Sequence, residues 1–373
     1  MGYILYGFER RADPVAWHVT GTLPDRKPLQ NYVLILGESL RSDALAIYGN
    51  PYPTTPFLSS KPLKTVDEMV APSYATMSAV PRLLALSEGE EVQPQNNVVA
   101  LAREAGLQTY WVSAQGRTRS KDLPISHIAK SADERIFVKR GDDFAMVGEL
   151  EALLDRAPDQ CRFIVLHAYG SHENVCDRLD GVGRPFETHW GEQLDCYLAS
   201  ALKADQLIER VSGLFKARGE TYSILFVSDH AVDFQHELGL VGASTAAKAS
   251  DAGSAGHRVR SSRNPFSKQQ FVVPFLELGD SVSEAQAIKT HGPCSAMELP
   301  TYVPTWLGLS TNLTPVGKDI FRCGEAGRSI TVLNPKGKLT SYGDLNAGLK
   351  LPEILRSSTE HNREREVDQH GVF

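Results

Sequence analysis

Two kinds of hydrophobic pattern alternate along this chain. Short unbroken apolar runs, Val33-Leu34-Ile35-Leu36-Gly37 and Ile224-Leu225-Phe226-Val227-Ser228, read as strands buried on both faces of a parallel sheet. Strands are also expected over 107–113, 135–138, 162–166 and 271–278. Between them, apolar residues recur every three or four positions. That spacing predicts helices over 39–48, 76–86, 96–105, 125–131, 143–156, 191–218 and 297–309. Asn96 or Asn97 is placed to cap the third of these and Gly106 to stop it, Gly219 ends the sixth, and Pro304 lies inside or at the edge of the last. Residues 48–56 carry turn chemistry, and the Ala-, Ser- and Gly-rich stretch 240–256 reads as a mobile loop. Strand and helix alternate throughout, which implies an α/β fold: a mainly parallel sheet flanked by helices on both faces.

In such sheets ligands bind beyond the carboxyl ends of the strands. The first apolar run delivers Glu38 to that edge, and the second delivers Asp229 and His230. Two carboxylates and an imidazole suit a zinc-like ion. Alone, Glu38 is as readily a charge complementing a helix start. Thr76 opens a helix, where a hydroxyl serves either as a cap or as a nucleophile whose alkoxide the helix end favours; Ser73 and Ser78 compete for that role. His167 ends the strand 162–166 and His172 follows five residues later, so at least one is expected to be functional. His236 and His257 fall in the loop region and read more simply as surface residues. Arg41 offers a planar fork for a phosphate or carboxylate, or is an exposed helix charge.

Composition narrows the class. The 373 residues are 42% apolar, enough for one large core, with no Pro/Gly/Ser-rich linker to divide it. A net charge of −6, spread without a basic stripe, argues against nucleic acid. No apolar run reaches the length of a membrane span. The start, Met1 to Phe8, is too short for a signal peptide and reads as the stub of a membrane segment, an ordinary strand or a leader. None of Cys161, Cys176, Cys196, Cys294 and Cys323 forms a Cys-x-x-Cys pair, which excludes a thiolate metal site of that kind. Cys176 with Cys196 and Cys294 with Cys323 are placed to pair. Cys161 reads as a small buried residue, and five free thiols is the other option.

Several segments in order resemble the bacterial phosphoethanolamine transferases, of the sulfatase branch of the alkaline phosphatase superfamily. They are Val33–Asp43 with Tyr48-Gly49 and Thr55-Pro56, Ala75–Pro81, Ala105–Gln115, Ile128–Lys130, Ala132–Phe137, Leu166–His172 and Phe226–His230. The resemblance implies an alkaline phosphatase/sulfatase-like catalytic domain over 31–350, preceded by a leader or linker (1–30) and followed by a polar tail (351–373). It implies that Glu38, Thr76, Asp229 and His230 hold one Zn²⁺, that Thr76 is the nucleophile, that His172 sits by the transferred phosphoryl group, and that His257 matches a second family histidine. The implied donor is phosphatidylethanolamine and the implied acceptor a lipopolysaccharide or other glycolipid. The chain would then act as a monomer against a membrane surface, on the periplasmic face of the bacterial inner membrane, with its membrane helices missing. Where the family reads Ser-Asp-His-Gly-Glu, Ala231 and Val232 stand in the last two places. That departure motivates an alternative, a phosphodiesterase- or sulfatase-like hydrolase; a non-catalytic relative ranks lower because every expected ligand is present.

Overall fold

The computed structural model describes residues 15–24, 28–116, 123–158, 160–234, 267–315, 319–325 and 329–356. Along them run β1 (Val19–Thr22), β2 (Asn31–Gly37), β3 (Lys64–Val70), α1 (Thr76–Leu84), β4 (Ala85–Glu88), β5 (Glu91–Asn97), α2 (Val98–Glu104), β6 (Gln108–Ser113), α3 (Pro124–Lys130), β7 (Glu134–Phe137) and α4 (Ala145–Arg156). Then come β8 (Arg162–His167), α5 (Glu192–Arg218), β9 (Tyr222–Ser228), β10 (Val272–Val273), β11 (Phe275–Gly279), β12 (Ile288–Ser295), α6 (Leu299–Leu307), β13 (Leu309–Thr311), β14 (Thr331–Leu333) and β15 (Leu339–Ser341).

Among the described residues nine strands form the central sheet, in the order β10-β3-β11-β9-β2-β8-β6-β7, with β12 beside β3. From β9 to β7 every pairing is parallel. β11 is antiparallel to both β9 and β3, so one end of the sheet is mixed. The strand expected over 271–278 is broken at Pro274, which has no N–H to donate to a ladder.

The sheet separates two cores. Along β2 the pleat sends Tyr32, Leu34 and Leu36 to one face, under α1, α2, α3 and α6, and Val33 and Ile35 to the other, under α4 and α5. All seven β2 residues are buried, so an alanine at Leu34 would cost about 2–5 kcal/mol. The continuous apolar runs are thus explained by helices on both sides.

The helix expected over 39–48 is instead a pair of 3-10 turns, Ser42–Ala44 and Ala46–Tyr48, with Leu45 extended between them. The Thr54 and Thr55 hydroxyls accept the Ala46 and Ile47 amides, replacing helical hydrogen bonds with side-chain ones. Asn97 is the cap of α2, accepting from Val99 N and Ala100 N. Pro81 lies inside α1.

Packing extends beyond the expected limits of 31 and 350. β1 pairs with β13, Trp17 joins the first core, and Leu351, Ile354 and Leu355 join the second. Cys176–Cys196 and Cys294–Cys323 are disulfides, with Cα–Cα separations of 5.1 and 5.6 Å. Cys161 is free and exposed rather than buried, because it precedes β8 instead of lying in it. No helix among the described residues is long and apolar enough to cross a membrane. The loop 240–256 and the histidines at 236 and 257 lie outside the described residues.

Candidate active site

The parallel strands β2, β6, β8 and β9 end on one edge of the sheet, and the chemistry gathers there. Glu38 follows β2 directly and is buried. Behind it Ser39 takes a φ of 57°, a left-handed conformation uncommon for any residue but glycine. That turn aims the Ser39 amide at Asp229 Oδ1, 3.1 Å away, while its hydroxyl donates to Glu38 Oε1 at 2.8 Å. Gly170 backs the same carboxylate. Its φ is +44°, and a Cβ there would lie 3.0 Å from Glu38 O and 3.1 Å from Glu38 N. Only glycine fits both the angle and the space.

Asp229 is fully buried. Its Oδ1 accepts the Ser39 and His230 amides, and its Oδ2 has no hydrogen-bond partner. His230 Nδ1 lies 3.0 Å from the Ala231 carbonyl and donates to it, which turns Nε2 inward. Nε2 is 3.2 Å from Glu38 Oε1 and 3.6 Å from Asp229 Oδ2. Ligand atoms of Glu38, Asp229 and His230 all fall within 4.8 Å of one another.

Thr76 begins α1 after an extended Ala75. Its Oγ1 is 3.0 and 2.9 Å from the two Glu38 oxygens and 3.4 Å from His230 Nε2. Ser73 and Ser78, its rivals in the sequence, bond to each other at 2.7 Å. The structure thus brings Glu38, Thr76, Asp229 and His230 to one point.

Electrostatics make the cluster unusual. Burial alone would push the Glu38 carboxyl up, but the hydrogen bond and charge of His230 outweigh it and hold Glu38 at about 2. Burial and then the Glu38 charge push Asp229 up to about 7. Burial pulls His230 down, yet Asp229 and Glu38 together raise it to about 9. Two buried carboxylates therefore share one imidazolium, and an acceptor oxygen is left over. A partnerless buried carboxylate oxygen is costly unless a cation meets it. Two carboxylates, an imidazole and a hydroxyl form a donor set whose chemistry fits a zinc ion, and Glu38, Asp229, His230 and Thr76 are the residues that could hold it.

Gln115 completes the cradle. Its amide donates to Glu38 Oε2 at 2.9 Å and to the Ala168 carbonyl at 2.7 Å. Sequence reasoning gave it no role; its position just past β6, on the same edge, was the available signal. His172 stacks on Tyr169, with ring centroids 4.6 Å apart. The amides of Tyr169 and Gly170 are held by Asp143, itself paired with Lys203. Two cavities meet at Thr76 and His172: one of about 300 Å³ over Glu38 and His230, and one of about 550 Å³ running under Gln115 and His167. His167 is buried, which pulls its imidazole down to about 4, and it packs edge-on to Trp111.

Arg41 is buried rather than exposed, and the carboxylate its fork meets is that of Asp43. Its fork grips Asp43 through Nε (2.8 Å) and Nη2 (2.7 Å), and it also donates to the Val232 and Leu349 carbonyls. Ala231 and Val232 line the smaller cavity, and their backbone carbonyls accept from His230 Nδ1 and Arg41 Nη1.

A model of the sulfatase family matches residues 30–310. The phosphoethanolamine transferase OpgE of Escherichia coli is 30% identical over 301 residues, covering 79% of this chain and 53% of its own. The chain spans about half the length of the curated relatives it matches. Among solved structures, the zinc-complexed C-terminal periplasmic domain of EptC from Escherichia coli superposes with a TM-score of 0.68 at 18% identity, covering 90% of this chain and 98% of that domain. The soluble domain of lipooligosaccharide phosphoethanolamine transferase A from Neisseria meningitidis gives 0.58 at 15% identity, covering 79% and 93%.

Proposed function

This chain belongs to the sulfatase family, and since its relatives there are named phosphoethanolamine transferases, we propose that it transfers phosphoethanolamine from phosphatidylethanolamine to a lipopolysaccharide or other glycolipid through a covalent Thr76 intermediate. The observation that carries this reading is the Thr76 hydroxyl, which lies at a helix start and 2.9 Å from a buried carboxylate of a metal-fitting cluster. The Zn²⁺ that Glu38, Thr76, Asp229 and His230 would hold supplies Lewis acidity, lowering the pKa of the hydroxyl and stabilising charge on the phosphoryl group.

The rest of the chemistry falls to side chains of this protein. Thr76 Oγ1, having lost its proton to solvent and attacking as the alkoxide, forms a bond to the donor's phosphorus as the bond from phosphorus to the glycerol oxygen breaks, and diacylglycerol leaves. His172, which lines both cavities beside Thr76, gives a proton to that departing oxygen. An acceptor hydroxyl then attacks, its proton passes to His172, and the Thr76–phosphorus bond breaks, returning Thr76 as the alkoxide. Gln115 and Ser39 keep Glu38 oriented throughout. His257, outside the described residues, is the second catalytic histidine of this reading. The reaction would take place at the periplasmic face of the inner membrane, where such a donor and acceptor meet.

The test is product analysis with labelled phosphatidylethanolamine. Diacylglycerol release that depends on a glycolipid acceptor, with the label carried to it, supports transfer. Release of free phosphoethanolamine at the same rate without acceptor identifies a hydrolase instead.

A further inference from the structure

A working histidine is usually oriented by a hydrogen bond at the ring nitrogen that faces away from the reaction. His230 follows that rule, its Nδ1 donating to the Ala231 carbonyl. His172 does not: its Nδ1 is buried and has no hydrogen-bond partner among the described residues. Its ring lies instead on that of Tyr169, with planes 22° apart and centroids 4.6 Å apart. Tyr169 is held in turn. Asp143 Oδ1 accepts its amide at 2.6 Å, and Arg178 stands 4.6 Å from its ring while donating to the His172 carbonyl. One side chain joins these two supports. Lys203 Nζ, from α5, lies 3.0 Å from Asp143 Oδ2 and 2.8 Å from the Arg178 carbonyl. Asp180 Oδ2 also accepts from it, at 2.6 Å. Lys203 and Asp143 are each only 2% exposed. A buried ion pair carries a desolvation cost that apolar residues of the same volume avoid, so stability alone does not account for it.

We propose that Lys203 and Asp143 are positioning residues, which act through Tyr169 to hold His172 with Nε2 toward the oxygen that leaves the donor phosphorus. The inference rests on the transferase reading, in which His172 protonates that oxygen. It deepens that reading by placing control of the proton transfer on α5, away from the substrate. Lys203, Asp143 and Tyr169 line neither of the cavities that meet at Thr76, so each acts through another group. Asp143 also accepts the Gly170 amide at 3.2 Å, and Gly170 backs Glu38. A clamp on His172 therefore has to be told apart from a clamp on Glu38.

The test times adduct formation on Thr76, by intact mass at saturating zinc, with two donors. Phosphatidylethanolamine expels a glycerol oxygen that needs a proton, whereas p-nitrophenyl phosphoethanolamine expels nitrophenolate, which leaves as the anion. Asp143→Asn and Tyr169→Leu should each slow the first donor about tenfold or more and the second no more than about threefold. Tyr169→Phe keeps the stacking face and should be at least about fivefold faster than Tyr169→Leu with phosphatidylethanolamine. In a His172→Gln background the same substitutions should cost no more than about threefold further. Equal slowing of both donors places the clamp on Glu38 and overturns the proposal. No slowing overturns it, as does a loss that multiplies with that of His172→Gln. Where Asp143→Asn does not fold, the two Tyr169 variants decide by the same criteria. If wild type forms an adduct from neither donor, the transferase reading fails by itself. Carbon-13 relaxation of the His172 ring then decides the clamp: a ring rigid in wild type and mobile in Tyr169→Leu and Asp143→Asn upholds it, and equal order in all three ends it.

Discussion

Thr76 Oγ1 lies 2.9 Å from Glu38 Oε2, although one residue opens a helix and the other directly follows a strand 38 positions earlier. One buried carboxylate thus orients the proposed nucleophile and belongs to the metal-fitting cluster. Glu38→Gln keeps the shape but removes the charge that His230 answers. It should lower zinc affinity at least 10-fold and turnover by on the order of 10³-fold. Zinc titration and acceptor-dependent diacylglycerol release measure the two; unchanged zinc affinity would remove Glu38 from the ligand set.

Asp229 should behave in the opposite sense in the metal-free protein. Its Oδ2 has no hydrogen-bond partner, and burial and Glu38 oppose its charge more than the His230 imidazole 3.6 Å away supports it. Asp229→Asn should therefore raise the metal-free Tm while abolishing the zinc-induced increase, which in wild type corresponds to about 2.7 kcal/mol at a hundredfold excess over Kd. A lower Tm in both states would mean that Asp229 is structural.

Metal uptake should release protons. Asp229 at about 7 and His230 at about 9 both sit above their ordinary values, so the metal-free fold binds their protons more tightly than the unfolded chain does. The stability they give is full below the unfolded values and is lost as pH rises through about 7 and about 9. Zinc must displace those protons, so the zinc-induced Tm increase should grow from about pH 6 to about pH 9. Calorimetry in buffers of different ionisation enthalpy counts the protons; a pH-independent increase would contradict the assignment.

Gly170→Ala tests the support behind Glu38. A methyl group there meets the Glu38 backbone at 3.0 Å in addition to the strain of its positive φ, whereas at Gly181, with φ +84°, nothing lies within 4 Å. Gly181→Ala should cost about 1 kcal/mol or less, while Gly170→Ala should cost about 1–3 kcal/mol and also weaken zinc binding. Equal effects of the two, read by denaturant melts and zinc titration, would remove the packing argument.

Much of this site was legible because buried parallel strands are continuous apolar runs and the residue just past such a run must lie at the ligand edge. Glu38, Asp229 and His230 were found that way, and the ordered motifs placed Thr76 beside them. What stayed hidden depends on contacts far apart in sequence. The turns after Glu38 look helical until Thr54 and Thr55 take the Ala46 and Ile47 amides. Arg41 looks like a surface charge until Asp43, Val232 and Leu349 close over it. Gln115 has no local pattern that separates it from any loop amide. The two strands beyond β11, β3 and β12, went unread because Lys64–Val70 and Ile288–Ser295 mix charged and apolar residues without a clean period.

The most direct test of the central claim is the intact mass of the zinc-loaded protein after exposure to phosphatidylethanolamine without acceptor. The account predicts that wild type gains the mass of one phosphoethanolamine group, mapped by peptide sequencing to Thr76, and that Thr76→Ala gains none. A wild type that never carries the group while turning substrate over, or a Thr76→Ala protein that still carries it, would contradict the claim that Thr76 is the nucleophile.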